Sequence, residues 1–404
     1  MELSAGDDFP GFDPDRNKRR SLVIPKRVVL FSLLAGLFGT ALPSFAELPV
    51  DTISVSSLPA AHPYRLYFSD VALPHISDGK MTVIDGRNFK VEGMVSTGAF
   101  AQTTVSPDRS EIYVMTTYYT KLNRGVRSEE ILVYDAKTLA LKAELPYPAR
   151  HAQALPYLGT LRTSGDGRFI IVQNATPATS VSIVDRQSGK MVSEIPTPGC
   201  FIVYPAQTTS RIATLCGDGT MLTITLDEQG NLVGKKKTAK FFDPDEDPLF
   251  APAVQDGDTY HFVTYKGNVV SINVAGEVAV PEKPWALGLP ADAKQNWRPG
   301  GYQPATLHKD SGTFYVGVHA KGFEGSHKNP AQEIWVYDLN TKTRVARVKT
   351  PHATGLAVSQ GEAPRLFAFN TEGASIAAFD GGRKLKLVGA GKGFGDTPTQ
   401  LEVQ

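Results

Sequence analysis

The chain has 404 residues, 42 Lys plus Arg against 41 Asp plus Glu, and an ordinary apolar content of 41%. A formal net charge of +1 leaves no footprint for nucleic acid, and Lys235-Lys236-Lys237 is an isolated basic run. The apolar residues are spread in short runs, which suits sheets buried on both faces better than long helices.

Residues 1–27 are polar and end in Lys18, Arg19, Arg20, Lys26 and Arg27; Val28 to Ala41 is apolar but short for a membrane span. Ser44-Phe45-Ala46 offers the small residues of a signal-peptidase site, so residues 1–46 are expected to be a cleaved signal peptide. Lys18 to Leu22 also resembles a twin-arginine export signal. An uncleaved anchor is the alternative. Either way residues 47–404 lie outside the cytoplasm, with no stable membrane insertion expected.

From there one pattern recurs. Glu111 to Thr117 reads as a strand, followed by Ile131 to Asp135, the turn Ala136-Lys137-Thr138, and Leu141 to Leu145. Asp-x-x-Thr is turn chemistry, because an Asp side chain caps the backbone two residues on. Met81 to Asp85, Val181 to Asp185, Met221 to Asp227, Val269 to Val274, Ile334 to Asp338 and Ser375 to Asp380 repeat it. Seven repeats over 47–404 give about 51 residues each, the period of a β-propeller. The expected fold is all-β: a single seven-bladed β-propeller of four-stranded antiparallel blades. Pro398 to Gln404 is a leftover strand, expected to complete blade one and close the ring, since an open sheet edge invites association.

Cys200 opens one strand and Cys216 closes the next, so in a hairpin the two meet; a disulfide is expected, with two free thiols as the alternative. Gly389 to Asp396 lacks the Lys-Ser/Thr and following helix of a phosphate loop and reads as a flexible loop before the closing strand. Asp243 to Asp247 lacks the Gly and distal Glu of a calcium loop and reads as a turn. The histidines at 62, 75, 151, 261, 308, 319, 327 and 352 form no metal-spaced pair, so no metal site is expected. His319 and His327 flank the loop Ala320 to Ser326, where hydrogen bonding is the simpler role. No Gly-x-Ser-x-Gly elbow is present, and no catalytic residue is assigned.

Several stretches carry more than repeat chemistry: Met115-Thr-Thr-Tyr118, Arg124-Gly125 with Arg127-Ser128, Gln173-Asn174-Ala-Thr-Pro177-Ala178, Cys200 with Cys216-Gly-Asp218, Asn296-Trp297-Arg-Pro299-Gly300-Gly301-Tyr302, and Gly325-Ser326-His327-Lys328 before Glu333-Ile334-Trp335-Val336. In that order they resemble the heavy subunit of the periplasmic amine dehydrogenases that use tryptophan tryptophylquinone, over roughly Leu58 to Gln404. The wording is nearer the aromatic amine branch than the methylamine branch. The resemblance implies two heavy and two light chains, with the quinone in the light chain and none in this one. It implies oxidation of a primary amine to aldehyde and ammonia, with electrons passing to an azurin- or amicyanin-like blue copper protein. This chain would be the platform and part of the substrate tunnel. The family's tunnel phenylalanine falls in the loop Thr97 to Ala101; an ungapped match puts Ala99 there, with Phe100 beside it. The alternative is a non-catalytic exported binding or scaffold propeller. A self-contained propeller holding pyrroloquinoline quinone would want a tryptophan in nearly every blade, and this chain has Trp285, Trp297 and Trp335.

Overall fold

Strand pairing is almost wholly local and antiparallel. In the computed structural model, which describes residues 56–154 and 156–404, β1 (Arg65–Asp70), β2 (Gly79–Asp85), β3 (Lys90–Val105), β4 (Glu111–Tyr119), β5 (Arg127–Asp135) and β6 (Leu141–Tyr147) lie side by side in chain order. The C-terminal strand Pro398–Val403 adds antiparallel to β1, outside it. Four-stranded sheets follow at Leu161–Pro196, at Cys200–Lys237 and at Gly355–Lys392, with two five-stranded sheets between the last two. The described residues belong to one compact unit, Ser54–Gln404, and none of their helices is long and apolar enough to cross a membrane. The signal-peptide reading of residues 1–46 lies outside the described residues.

Alternation along each strand sends successive side chains to opposite faces, and here both faces are buried. Ile170 and Val172 pack with Tyr113, Met115 and Ile131 of the sheet before, while Phe169 and Ile171 pack with Val203, Ile212 and Ile224 of the sheet after. The last sheet packs on the first in the same way: Phe367 and Phe369 join Leu66, Phe68 and Leu401, with Phe68 and Phe369 edge to face at 5.3 Å. Fourth strands are polar and exposed, as Leu232–Lys237 shows, so Lys235 to Lys237 are a solvated edge. The result is a propeller-like all-β fold.

The aspartate turns form as their chemistry requires. Asp135 Oδ1 accepts from the N–H groups of Lys137 and Thr138 at 3.0 and 2.8 Å, and Asp85, Asp185, Asp227 and Asp338 do the equivalent. Asp243 likewise caps Asp245 and Glu246, making that acidic run a turn. Cys200 and Cys216 face each other across paired strands and are bonded.

Two expectations are corrected. Gly389 to Asp396 is not a flexible loop: Leu387–Lys392 is the fourth strand of its sheet. Its glycines are packing devices, since a Cβ at Gly389 would sit 2.9 Å from the Phe89 ring and one at Gly391 2.7 Å from Phe89 Cβ. The remainder is pinned by Asp70, whose carboxylate accepts from the N–H groups of Asp396 and Thr397 at 2.6 and 2.9 Å. Thr97 to Ala101 is not a loop either but the middle of β3, where the strand exchanges β2 for β4 as its partner.

Candidate functional site

That exchange makes an unusual corner. The β2 pairing ends at Gly79↔Gly98, the β4 pairing begins at Ala99↔Thr117, and the register shifts between Ala99 and Gln102. Gly98 and Phe100 both take positive φ, 69° and 51°. Glycine does so freely, whereas a phenylalanine there is strained and must be held by its surroundings. Ala99 is buried, and Phe100 is half-buried.

The holding group is a buried polar network. The Phe100 carbonyl lies 3.3 Å from His151 Nε2 and 3.4 Å from Gln102 Nε2. His151 Nδ1 is 2.9 Å from Glu129 Oε1, with neither side chain reaching solvent. Glu129 Oε2 accepts from the main-chain N–H groups of Arg150 and His151 at 2.8 and 3.0 Å, and Arg127 pairs with Oε1. Burial pushes the Glu129 carboxyl up, but His151 and Arg127 outweigh it and hold it below the usual range, so it is ionised at neutral pH. Gln102 is fixed as well, donating to Ala154 O at 2.8 Å and accepting from Thr160.

Beyond the Ala99↔Thr117 pair, β4 runs on into a loop closed by Thr120, whose N–H donates to Val126 O. It presents Leu122 and Val126, 74% and 72% exposed, and Tyr118 stands over Gly98. A strained aromatic corner beside bare apolar side chains is the arrangement of a surface that meets another molecule. No catalytic base or nucleophile is assembled there.

Glu129 and His151 were not singled out from sequence, and their separation of 22 residues gives no motif. The available signal was alternation: Glu129 shares the buried face of β5 with Ile131 and Val133, where an acid needs a partner. His319 and His327 have structural roles. His319 is buried with Nδ1 3.2 Å from Ala320 O, and His327 stacks on Tyr265 at 4.4 Å, burial lowering its pKa. Among the described residues one cluster has metal-like proximity, His62, Asp85 and Glu92. Guanidinium groups already neutralise it: Arg65 lies 2.7 Å from Glu92 and Arg87 2.8 Å from Asp85, and burial followed by Arg87 lowers the His62 pKa. It is an ion-pair knot.

The family described as methylamine dehydrogenase heavy chain (MADH) matches residues 62–400. The methylamine dehydrogenase heavy chain of Methylophilus methylotrophus is 26% identical over 333 residues, 82% of this chain and 81% of that protein. Its counterpart in Methylobacillus flagellatus is 27% identical over 319 residues, covering 78% and 79%. Among solved structures, the dihydro-heme d1 dehydrogenase NirN aligns with TM-score 0.52 and 17% identity, over 88% of this chain and 78% of that one, a likeness of fold alone.

Proposed function

The chain belongs to the methylamine dehydrogenase heavy chain family, and from that premise we propose that it is the heavy subunit of a periplasmic amine dehydrogenase, exported by a cleaved signal peptide. The complex oxidatively deaminates primary amines to aldehyde and ammonia and passes electrons to a blue copper protein of the azurin or amicyanin kind. Two heavy and two light chains assemble, and the light chain carries tryptophan tryptophylquinone. In this reading the sheets are seven blades, β3 serving two of them, with two short segments sharing one strand position in each five-stranded sheet, and the C-terminal strand closes the ring.

The observation that carries the proposal is the family match along residues 62–400. The chain's own tryptophans support placing the quinone elsewhere. Trp335 is buried and donates to Glu333 at 2.8 Å, Arg344 and Arg347 lie over its ring at 4.3 and 5.1 Å, and Trp297 packs against it. The quinone supplies an electrophilic carbonyl that no unmodified side chain offers. What this chain adds is position: Phe100 lines the amine's path, His151 and Glu129 fix its backbone, and the Leu122–Val126 loop covers the joint from water.

The test is dye-linked oxidation of methylamine, tyramine and phenylethylamine by the isolated chain and by the chain with a matching light subunit. Only the assembled complex should turn over, and Phe100→Ala should change the ratio of kcat/KM among the amines more than it changes assembly. Turnover by the isolated chain would overturn the subunit assignment. Failure to bind any light chain would favour a scaffold role.

A further inference from the structure

A cavity lies away from the Phe100 corner, where the C-terminal ends of several first strands converge. It measures about 240 Å³, and its lining includes Arg109, Arg162, Gln207, Gln255, Lys309 and Glu402. Each comes from a different part of the chain. Arg109 follows β3 in a turn whose N–H donates to Ser106 O; Arg162 lies on Leu161–Thr163; Gln255 lies on Val254–Asp256; Lys309 follows Ala305–His308; Glu402 lies on the C-terminal strand.

Charge in this cavity is unbalanced. Three cations face one carboxylate, and the nearest approach between them, Arg109 to Glu402, is a loose 4.0 Å. Among the described residues neither Arg162 nor Lys309 makes a salt bridge, although Arg162 is near enough to Glu402 to act on it through space, and Arg162 Nε is shielded from solvent with no hydrogen-bond acceptor. Glu402 is already engaged by Gln400 Nε2 at 3.1 Å, and burial pushes its carboxyl above the usual range, which weakens it further as a counter-charge. A guanidinium Nε buried without an acceptor is costly, and an oxyanion supplies the acceptor and the missing charge together.

We propose that this cavity is a binding site for a small doubly charged oxyanion, of the phosphate or short dicarboxylate class, gripped by Arg109, Arg162 and Lys309. Two guanidinium forks and an ammonium suit a planar or tetrahedral dianion, with the Gln207 and Gln255 amides beside them. The volume admits phosphate or a four-carbon diacid with a few waters. The site stands apart from amine oxidation and does not depend on it.

Isothermal titration of the full chain with inorganic phosphate and, separately, with succinate at constant ionic strength tests this. One-site saturable binding of at least one anion is expected, and the stronger of the two identifies the source. Arg162→Gln and Lys309→Gln should each weaken it at least tenfold, while Lys235→Gln, on an exposed fourth strand, should leave it unchanged. Lys309 is exposed, so its variant decides the matter if Arg162→Gln does not fold. No saturable binding of either anion, or equal affinity in the Lys309 variant, overturns the proposal.

Discussion

Glu129→Ala is the most exacting test of the network behind Phe100. It strips the acceptor from two main-chain N–H groups, the part-buried one of Arg150 and the buried one of His151, and removes the counter-charge of Arg127 and the neighbour of the His151 imidazole. Each orphaned buried donor costs about 1–3 kcal/mol, and breaking a buried ion pair from one side costs about 3–5 kcal/mol. These counts overlap because they share one carboxylate, so the expected total is about 3–5 kcal/mol. Glu129→Gln keeps an oxygen for the N–H pair but turns an amide NH2 towards Arg127 and His151, and should cost roughly 2–3 kcal/mol. The neighbouring Glu130 is the control. It is half-buried and its side chain has no hydrogen-bond partner among the described residues, so Glu130→Ala should stay within about 0.5 kcal/mol. Urea unfolding reads all three as shifts in midpoint at constant slope. A loss below about 1 kcal/mol for Glu129→Ala would refute the claim that this carboxylate holds the corner. In the assembled enzyme the Gln variant should shift amine preference in the same sense as Phe100→Ala, a readout that a merely structural acid would not move.

Three further outcomes follow from the geometry. Deleting Thr399 to Gln404 removes most of the strand paired to β1 and bares that edge; the product should be insoluble or quickly proteolysed, and a truncated chain that melts like the full one would refute the closing role. Serine at both Cys200 and Cys216 opens a link across a sequence separation of 16 and should cost about 3 kcal/mol in thermal or urea unfolding, an unchanged midpoint counting against it. Asp85 is held down to about 2, chiefly by Arg87; its contribution is present above its unfolded value and is lost as pH falls through the folded one. The stability gap between wild type and Arg87→Ala should therefore shrink as pH drops from roughly 4 to 2, and a gap independent of pH would contradict the assignment.

How much of this was legible beforehand depends on whether the chemistry is local. The aspartate turns and the strand runs around them, such as Glu111 to Leu145, are local, and the structure places them where alternation and capping require. The Cys200–Cys216 link was legible because both thiols sit at ends of one hairpin. The glycine-rich stretch at 389–391 misled because glycine reads as freedom, whereas here it makes room for Phe89, some 300 residues earlier in the chain. The Glu129–His151 contact and the Arg109, Arg162 and Lys309 cluster were invisible for a related reason. The first is assembled by the packing of one sheet on the next and the second by the convergence of several separate sheets, and no spacing along the chain encodes either.

The Ala99 or Phe100 ambiguity shows what the structure adds to an alignment. An ungapped match counts residues, and at a strand irregularity counting and geometry part company, because an extra residue displaces the side chains after it. Ala99 is 4% exposed and pairs directly with Thr117, so a large ring there would overpack the sheet. Phe100 sits in the irregularity itself, unpaired in the ladder and only partly buried. A residue freed from pairing can take a strained φ, provided its carbonyl is held, and His151 and Gln102 lie within reach of that carbonyl. The buried acid, the histidine and the register shift thus converge on one side chain, which is the physical reason to give the proposed tunnel role to Phe100 rather than to its neighbour.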